Sequence, residues 1–315
     1  MHVMVTGTGF IGSYVVKNLL EQGHEVIFYG FFENPTAIRD VVGHGVFTEV
    51  KGDVLDYDLL EKTMKENSVE SVVHTAAVLI AGARENPLNA VKVNVLGTAN
   101  VLEAARKTDV EKIVYTSSGQ VYAMLNPYVE VPKPDSGVVK EEESILPGSV
   151  YATTKAASEY LGLNYSNIYG IDFIALRLPT VYGGWLGQMG RAGVLKTMCE
   201  KALRGEDLTV DEYKSEWGYV KDMARACVLA VSKRKPKYRI MNVGSGKINS
   251  LREAVDILKG ELGDNRVKIN VKEVQQPERL PSDLSKAREE LGYEPEYDFE
   301  KGVRDLLDWA KKHYG

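Results

Sequence analysis

Val3-Met4-Val5-Thr6-Gly7-Thr8-Gly9-Phe10-Ile11-Gly12 decides the fold. Val3–Val5 is a short apolar run, and the glycines follow as G-x-G-x-x-G. Ser13–Gln22 then has the pattern of a helix. Strand, glycine turn and helix in that order are the context a dinucleotide-binding fingerprint requires. Gly7 permits the tight turn, Gly9 lets the backbone approach a pyrophosphate, and Gly12 lets the helix pack closely on the strand. The new helix aims its free N–H groups and positive dipole end at the phosphates. The competing explanation is a glycine-rich turn with no ligand; placement on an N-terminal strand, opening an amphipathic helix, favours the dinucleotide.

Outward from this turn, short Val- and Ile-rich runs alternate with helical patterns. Strands are expected at 24–29, 46–50, 71–75, 112–118, 171–177 and 239–243, and helices at 59–67, 89–107 and 150–169. Strands each followed by a helix mean parallel pairing with both sheet faces covered. The fold class is therefore α/β, a doubly wound parallel Rossmann sheet, with ligands at the carboxyl ends of the strands. Residues 122–147, with Pro127, Pro132, Pro134 and Pro147, form a long loop, and loops of that length are usually functional. From Pro179 the alternation fails, and Gly183–Gly190 is expected to be a mobile, glycine-rich loop. Helices are expected at 250–260, 284–291 and 299–313. Residues 1–178 plus about 218–248 are assigned to the dinucleotide-binding domain. About 179–217 plus 249–315 form a smaller C-terminal α/β substrate-binding region.

The 315 residues suffice for a substantial core, and 44% hydrophobic with 26% charged residues is ordinary globular composition. A net charge of −5 gives no basic field for nucleic acid or an anionic membrane. No apolar run is long enough to cross a bilayer. Cys199 and Cys227 lie in helix-like apolar segments and read as buried thiols; no metal site is expected. A strand beginning almost at Met1 leaves no room for a signal peptide, so the expected setting is a reduced cytoplasm.

The chemistry-bearing residues are Ser118, at the end of the fifth strand, and Tyr151 with Lys155, one turn apart on the helix that follows the long loop. A nearby ammonium stabilises phenolate and lowers the tyrosine pKa from about 10, so that Tyr151 can exchange a proton with a substrate hydroxyl. Tyr297 and Lys301 repeat the spacing with no strand-end serine beside them, so setting, and not spacing, singles out Tyr151.

With these residues in hand the chain resembles, nearly end to end, the extended short-chain dehydrogenases/reductases of the NAD-dependent epimerase/dehydratase family. The landmarks are Thr6–Gly12, Gly52-Asp53, His74–Ala77, Asn94–Thr98, Thr116–Ser118 with Val121-Tyr122, Tyr151 with Lys155, Arg177 with Val181–Gly183, and Asp283–Ala287. Each is weak alone; all of them in the family's order are specific. The resemblance implies Tyr151 as acid/base, Lys155 lowering its pKa and holding the nicotinamide ribose, and Ser118 orienting the reacting oxygen. It implies cofactor contacts at Gly7, Gly9, Phe10, Ile11, Gly12, Glu33, Asp53, Val54, Ala76, Ala77, Asn94 and Pro179. Substrate contacts are implied at Ser118, Gly119, Gln120, Thr180 and Arg279. His74 is expected to pack behind the cofactor; for Trp185 and Trp217 lining a substrate pocket and packing in core or loop are both open, with packing at least as well supported. The helices at 89–107 and 150–169 correspond to a common dimer interface of the family, so a homodimer is expected.

The chain also departs from the family. Its glycine turn is one residue short of G-x-x-G-x-x-G. Gly30 stands where an acid often accepts the adenosine ribose hydroxyls; Glu33 can substitute and favours NAD, whereas Arg39 would favour NADP. NAD is preferred, since the turn itself carries no basic residue. Gly119-Gln120 replaces the Asp-Glu of sugar 4,6-dehydratases, which removes the acid and base for eliminating water. Thr180 and Ser215 replace an Asn and an Arg that help hold a nucleotide-sugar diphosphate, leaving Lys214, Arg191 or Arg279 to compensate. The leading expectation is an NAD(P)-dependent oxidoreductase moving a hydride between nicotinamide and a carbinol carbon of a small polyhydroxylated or hydroxy-acid substrate. The alternative is a sugar or nucleotide-sugar epimerase, UDP-glucose 4-epimerase-like, with tightly held NAD. A nucleotide-binding regulator without catalysis is disfavoured by the intact Ser118, Tyr151 and Lys155.

Overall fold

Apolar runs alternating with helices fold into seven parallel strands and the helices that cover them. The computed structural model describes every residue except Pro127, Glu130, Val131, Gln188 and Met189, with no side-chain description for Met124, Arg191 and Ala192. Parts of the long loop and of the glycine-rich loop, and the Arg191 side chain, therefore lie outside the described residues. The first half runs β1 (His2–Thr6), α1 (Phe10–Glu21), β2 (Glu25–Gly30), α2 (Pro35–Val42), β3 (Thr48–Lys51), α3 (Tyr57–Glu66) and β4 (Ser71–His74). It continues with α4 (Ile80–Glu85), α5 (Pro87–Val91), α6 (Gly97–Lys107), β5 (Lys112–Ser118), α7 (Val150–Tyr169) and β6 (Asp172–Leu178). Then come β7 (Thr180–Tyr182), α8 (Val194–Arg204), β8 (Leu208–Asp211), β9 (Ser215–Tyr219), α9 (Val220–Ser232) and β10 (Ile240–Asn242). The chain closes with β11 (Ile248–Asn249), α10 (Leu251–Leu262), β12 (Ile269–Lys272), α11 (Ser285–Leu291) and α12 (Phe299–Tyr314).

The main sheet has the order β3-β2-β1-β4-β5-β6-β10, parallel throughout. Strand order reverses between β1 and β4, which opens a crevice at their carboxyl ends. Alternation along the strands divides the core. Val3, Val5, Val73, Val114 and Ile174 pack with residues of α1 and α9. Met4, Val72, Ile113, Tyr115 and Phe173 pack with α3 and α6 on the other face. A separate cluster joins Tyr182, Trp217, Tyr219 and Phe299 to α8, α10 and α12, beside the three-stranded sheet β11-β9-β7 and the parallel pair β12-β8. Trp217 and Trp185 are both buried by packing.

Two expectations change. The helix at 89–107 is divided: α5 passes through a π-turn at Lys92–Leu96 into α6, and such turns often mark functional sites. Of the glycine-rich loop, residues 183–187 are pinned. Tyr14 Oη donates to the Gly184 carbonyl at 2.8 Å, Lys196 Nζ to that of Gly187 at 3.1 Å, and Asn34 to that of Leu186. Glycine at 184 serves packing: a Cβ there would lie 2.4 Å from the Trp309 ring. The long loop is held at its base, where Ala123 N donates to Ser144 O at 2.8 Å and Val139 bridges to Ser282.

Candidate active site

The glycine turn has the shape a dinucleotide needs. Gly7 takes φ +94°, and a Cβ there would sit 2.6 Å from Ala76 N. A Cβ on Gly12 would lie 2.0 Å from the Gly7 carbonyl oxygen, so its close packing is against the turn itself and not the strand. Gly9 differs: its Cβ would meet nothing within 4 Å. That open space lies at the N-terminus of α1, which has no side-chain cap and no acid in its first turn. The first-turn N–H groups of Gly9, Phe10, Ile11 and Gly12, with no capping side chain, suit an anion. Ala76 and Ala77, half-buried beyond β4, line the opposite bank, and Pro179 follows β6. These residues fit a pyrophosphate-containing cofactor.

The short turn and Gly30 are one structural fact. Thr8 Oγ1 accepts from Phe32 N at 3.0 Å. Its side chain fills the space above Gly30, where a Cβ would be 2.7 Å from Thr8 Cγ2. An acidic side chain at 30 has no room. Glu33 lies exposed just beyond, while Arg39 is turned to the Gly45 carbonyl at 3.1 Å and Glu49 at 3.4 Å. Asp53 accepts from Leu55 N at 3.0 Å beside buried Val54.

Ser118, Tyr151 and Lys155 converge where β5 ends against α7. Ser149 caps α7, accepting from Ala152 N at 3.1 Å, which fixes Tyr151 in the first turn. Its ring packs with Val78, Ala83 and Ala90. Lys155 Nζ donates to the Thr116 carbonyl at 2.7 Å and lies 4.7 Å from the centre of the Tyr115 ring and 5.9 Å from that of Tyr151. The expected depression of the Tyr151 pKa is not what the protein groups produce. Burial pushes the phenol up to about 12, opposed by the Ser118 hydrogen bond. Burial also pulls Lys155 down to about 7, opposed by Glu159. The lysine ammonium is turned to a carbonyl, 5.9 Å from the centre of the Tyr151 ring, and does not offset the burial of the phenol.

His74 is fully buried behind the turn, bonded to Thr6 Oγ1 at 2.6 Å and Thr98 Oγ1 at 3.0 Å. Burial first, then the Lys155 charge, holds its pKa near 3. The unfolded chain protonates this histidine below about pH 6.5, the folded chain only near 3. Its contribution to stability is therefore complete above pH 6.5 and is lost as pH falls toward 3, by about 1.4 kcal/mol per pH unit. Thermal melts should show a Tm decline from pH 6.5 to 5 that is shallower in His74→Asn; equal slopes would refute this.

Gly119 and Gln120 form a half-buried turn directly after Ser118. Thr180 shares a hydrogen bond with Ser215, Oγ1 to Oγ 3.0 Å, so a hydroxyl pair occupies the places of the Asn and Arg. Arg279 lies 5.0 Å above the Tyr213 ring. Asn94 is buried beside the Val78 segment. Its Oδ1 accepts from Val78 N at 2.7 Å, and Nδ2 donates to Val78 O at 3.0 Å and Thr154 Oγ1 at 2.9 Å. The side chain is spent on tying the Val78 segment to α7. Thr8 and Glu159 were missed from sequence; Glu159's signal was a charge one turn past Lys155 on the inward face of α7. Tyr297 and Lys301 pair with each other, 4.4 Å from ammonium to ring centre, with Tyr297 at the edge of the second cluster and Lys301 exposed.

Comparison with known proteins agrees with this geometry. Residues 3–244 match the sequence model of the NAD dependent epimerase/dehydratase family. A putative UDP-glucose 4-epimerase of Methanocaldococcus jannaschii is 34% identical over 99% of this chain and 99% of its own. The UDP-glucose 4-epimerase of Thermotoga maritima with UDP-glucose superposes with a TM-score of 0.86 at 27% identity, covering 100% of both chains. That of Thermus thermophilus in complex with NAD gives 0.84 at 30% identity, covering 99% of this chain and 100% of that one. Fold and site define an enzyme of the extended short-chain dehydrogenase/reductase type that works with a nicotinamide dinucleotide. Within that class, the chain belongs to the NAD-dependent epimerase/dehydratase family.

Proposed function

We propose that the protein is an NAD-dependent 4-epimerase of a UDP-hexose. The observation that carries this is the convergence of Ser118, Tyr151 and Lys155 beside a glycine turn shaped for a dinucleotide, in a chain whose relatives are named for that reaction. Bound nicotinamide would accept and return the hydride. Tyr151 takes the proton of the substrate hydroxyl, Ser118 holds that oxygen, and Lys155 holds the nicotinamide ribose. Tyr151 gives the proton back to the same oxygen when the hydroxyl is restored, so a cycle that inverts the carbon would leave no net redox change. Gly7, Gly9, Phe10, Ile11, Gly12, Glu33, Asp53, Val54, Ala76, Ala77, Asn94 and Pro179 are assigned to the cofactor, and Gly119, Gln120, Thr180 and Arg279 to the substrate. NAD is preferred because Arg39 is engaged with Gly45 and Glu49.

The reading includes the division assigned above, residues 1–178 plus about 218–248 for the cofactor and the remainder for the substrate. It also includes a cytoplasmic setting, which fractionation of cells would test; no helix among the described residues is long and apolar enough to cross a membrane. Val91, Leu96, Tyr160, Ile168 and Tyr169 are exposed on or beside α6 and α7, the apolar face expected of a homodimer; sedimentation at the mass of one chain would refute it.

Incubation with UDP-glucose and NAD should yield UDP-galactose with no accumulation of NADH. Steady NADH production would overturn epimerisation in favour of net oxidation. That second reading, on a substrate without a diphosphate, is favoured by the Thr180–Ser215 hydroxyl pair. Thermal stabilisation by UDP, GDP or dTDP would count against it.

A further inference from the structure

Three consecutive residues at the end of β5 each engage α7. The Thr116 carbonyl accepts from Lys155 Nζ at 2.7 Å, Ser117 Oγ donates to Glu159 Oε1 at 2.5 Å, and Ser118 stands near enough to Tyr151 to favour its phenolate. The outer two belong to the reacting set; the middle one does not. Glu159 lies one turn beyond Lys155 and two beyond Tyr151, so the three share a helix face. It is 2% exposed and is gripped bidentately by Arg177, itself 3% exposed, with Nε to Oε1 at 3.0 Å and Nη2 to Oε2 at 2.7 Å. Arg177 is fixed in turn: Nη1 donates to the Glu141 carbonyl at 3.2 Å, and its guanidinium lies 4.7 Å from the Tyr122 ring centre. Stability alone gives little reason for such a pair, because desolvation cancels much of the attraction between buried charges.

We propose that Glu159, anchored by Arg177, is a positioning residue for proton transfer: it locks Ser117, and with it Ser118, against α7 and keeps a carboxylate beside the Lys155 ammonium. This rests on the proton-transfer reading of Tyr151 and Lys155. The groups that face Lys155 are the Tyr115 ring and Thr116 carbonyl of β5, Tyr151 and Glu159 of α7, and His74 of β4, which burial keeps neutral. Arg177 of β6 stands behind Glu159. Of these, Glu159 is the one that raises the Lys155 pKa against burial. Its removal lets the lysine lose its proton at lower pH.

The test compares Glu159→Leu/Arg177→Met, which removes both charges while keeping bulk, with Lys155→Met and the parent. Three quantities are read: Tm, NAD+ affinity by titration, and the pH profile of kcat for UDP-glucose. The double variant should fold with a Tm near the parent's. Its kcat at pH 8 should fall about tenfold with KM unchanged, and its alkaline limb should move down by about one pH unit. A parent-like kcat and pH profile in the folded double variant overturns the proposal while Lys155→Met is inactive. If Lys155→Met itself keeps parental activity and NAD+ affinity, the proton-transfer reading fails instead. Should the double variant not fold, Ser117→Ala, which cuts only the link from β5 to Glu159, decides: a several-fold loss of kcat at constant KM supports the positioning role, and no change overturns it.

Discussion

Tyr151→Phe is expected to lower kcat by about 10³-fold, the range for removal of a general acid–base, while NAD+ affinity and Tm stay close to the parent's. The two halves of that expectation come from different atoms. The ring is packed among Val78, Ala83 and Ala90, and phenylalanine keeps it. Only the hydroxyl goes, together with its bond to Ser118. That hydroxyl is costly to ionise where it sits, because burial pushes it up to about 12. As a phenol it is the acid that returns a proton to the ketone oxygen, and nothing else at the end of β5 offers an equivalent acid. Ser118 is too weak an acid, and His74 is neutral and committed to Thr6 and Thr98. Steady-state kinetics, an NAD+ titration and a thermal melt on the purified variant read the three quantities. Retention of full kcat would remove Tyr151 from the chemistry.

The parts of this molecule legible in its sequence are those where local pattern and tertiary role agree. β5 and α7 begin and end where expected because an apolar run and a Ser-capped, Gly-terminated helix impose their own limits. The second core was opaque. Among the described residues β8 and β12 pair with each other as four-residue strands, Leu-Thr-Val-Asp and Ile-Asn-Val-Lys, whose apolar runs are too short to stand out, and β9 is built of Ser, Glu, Trp, Gly and Tyr. The site divides in the same way. Which residues meet was visible from order along the strands; how they are charged was not. Desolvation belongs to the fold, and it reverses the pKa shift that the Tyr151–Lys155 spacing alone suggests. The missing acid at 30 was visible, but its cause, the Thr8 side chain overhead, is a contact between residues 22 positions apart.

Gly9→Ala and Gly12→Ala should fail differently, and the difference locates the cofactor. Gly12 is enclosed: a Cβ would lie 2.0 Å from the Gly7 carbonyl oxygen and 3.0 Å from Thr75 Oγ1. The turn must open to admit it, so the variant should lose about 1–3 kcal/mol of stability, the usual cost of overpacking, and with it NAD+ binding. Gly9 has φ −101° and ψ −160°, an extended backbone that alanine adopts freely, and its Cβ would touch no protein atom within 4 Å. Alanine there should leave Tm unchanged or slightly raised, since it also restricts the unfolded chain. The methyl would nonetheless stand at the head of α1, in the space where the N–H groups converge. A pyrophosphate seated there would be pushed off those donors, and loss of two charge-assisted bonds of about 1.5–3 kcal/mol each predicts at least a hundredfold weaker NAD+ binding. Calorimetry on the two variants separates the effects. A Gly9→Ala protein that keeps both its Tm and its NAD+ affinity would show that the dinucleotide does not cross the glycine turn, and would take the assignment of Gly7, Gly9 and Gly12 to the cofactor with it.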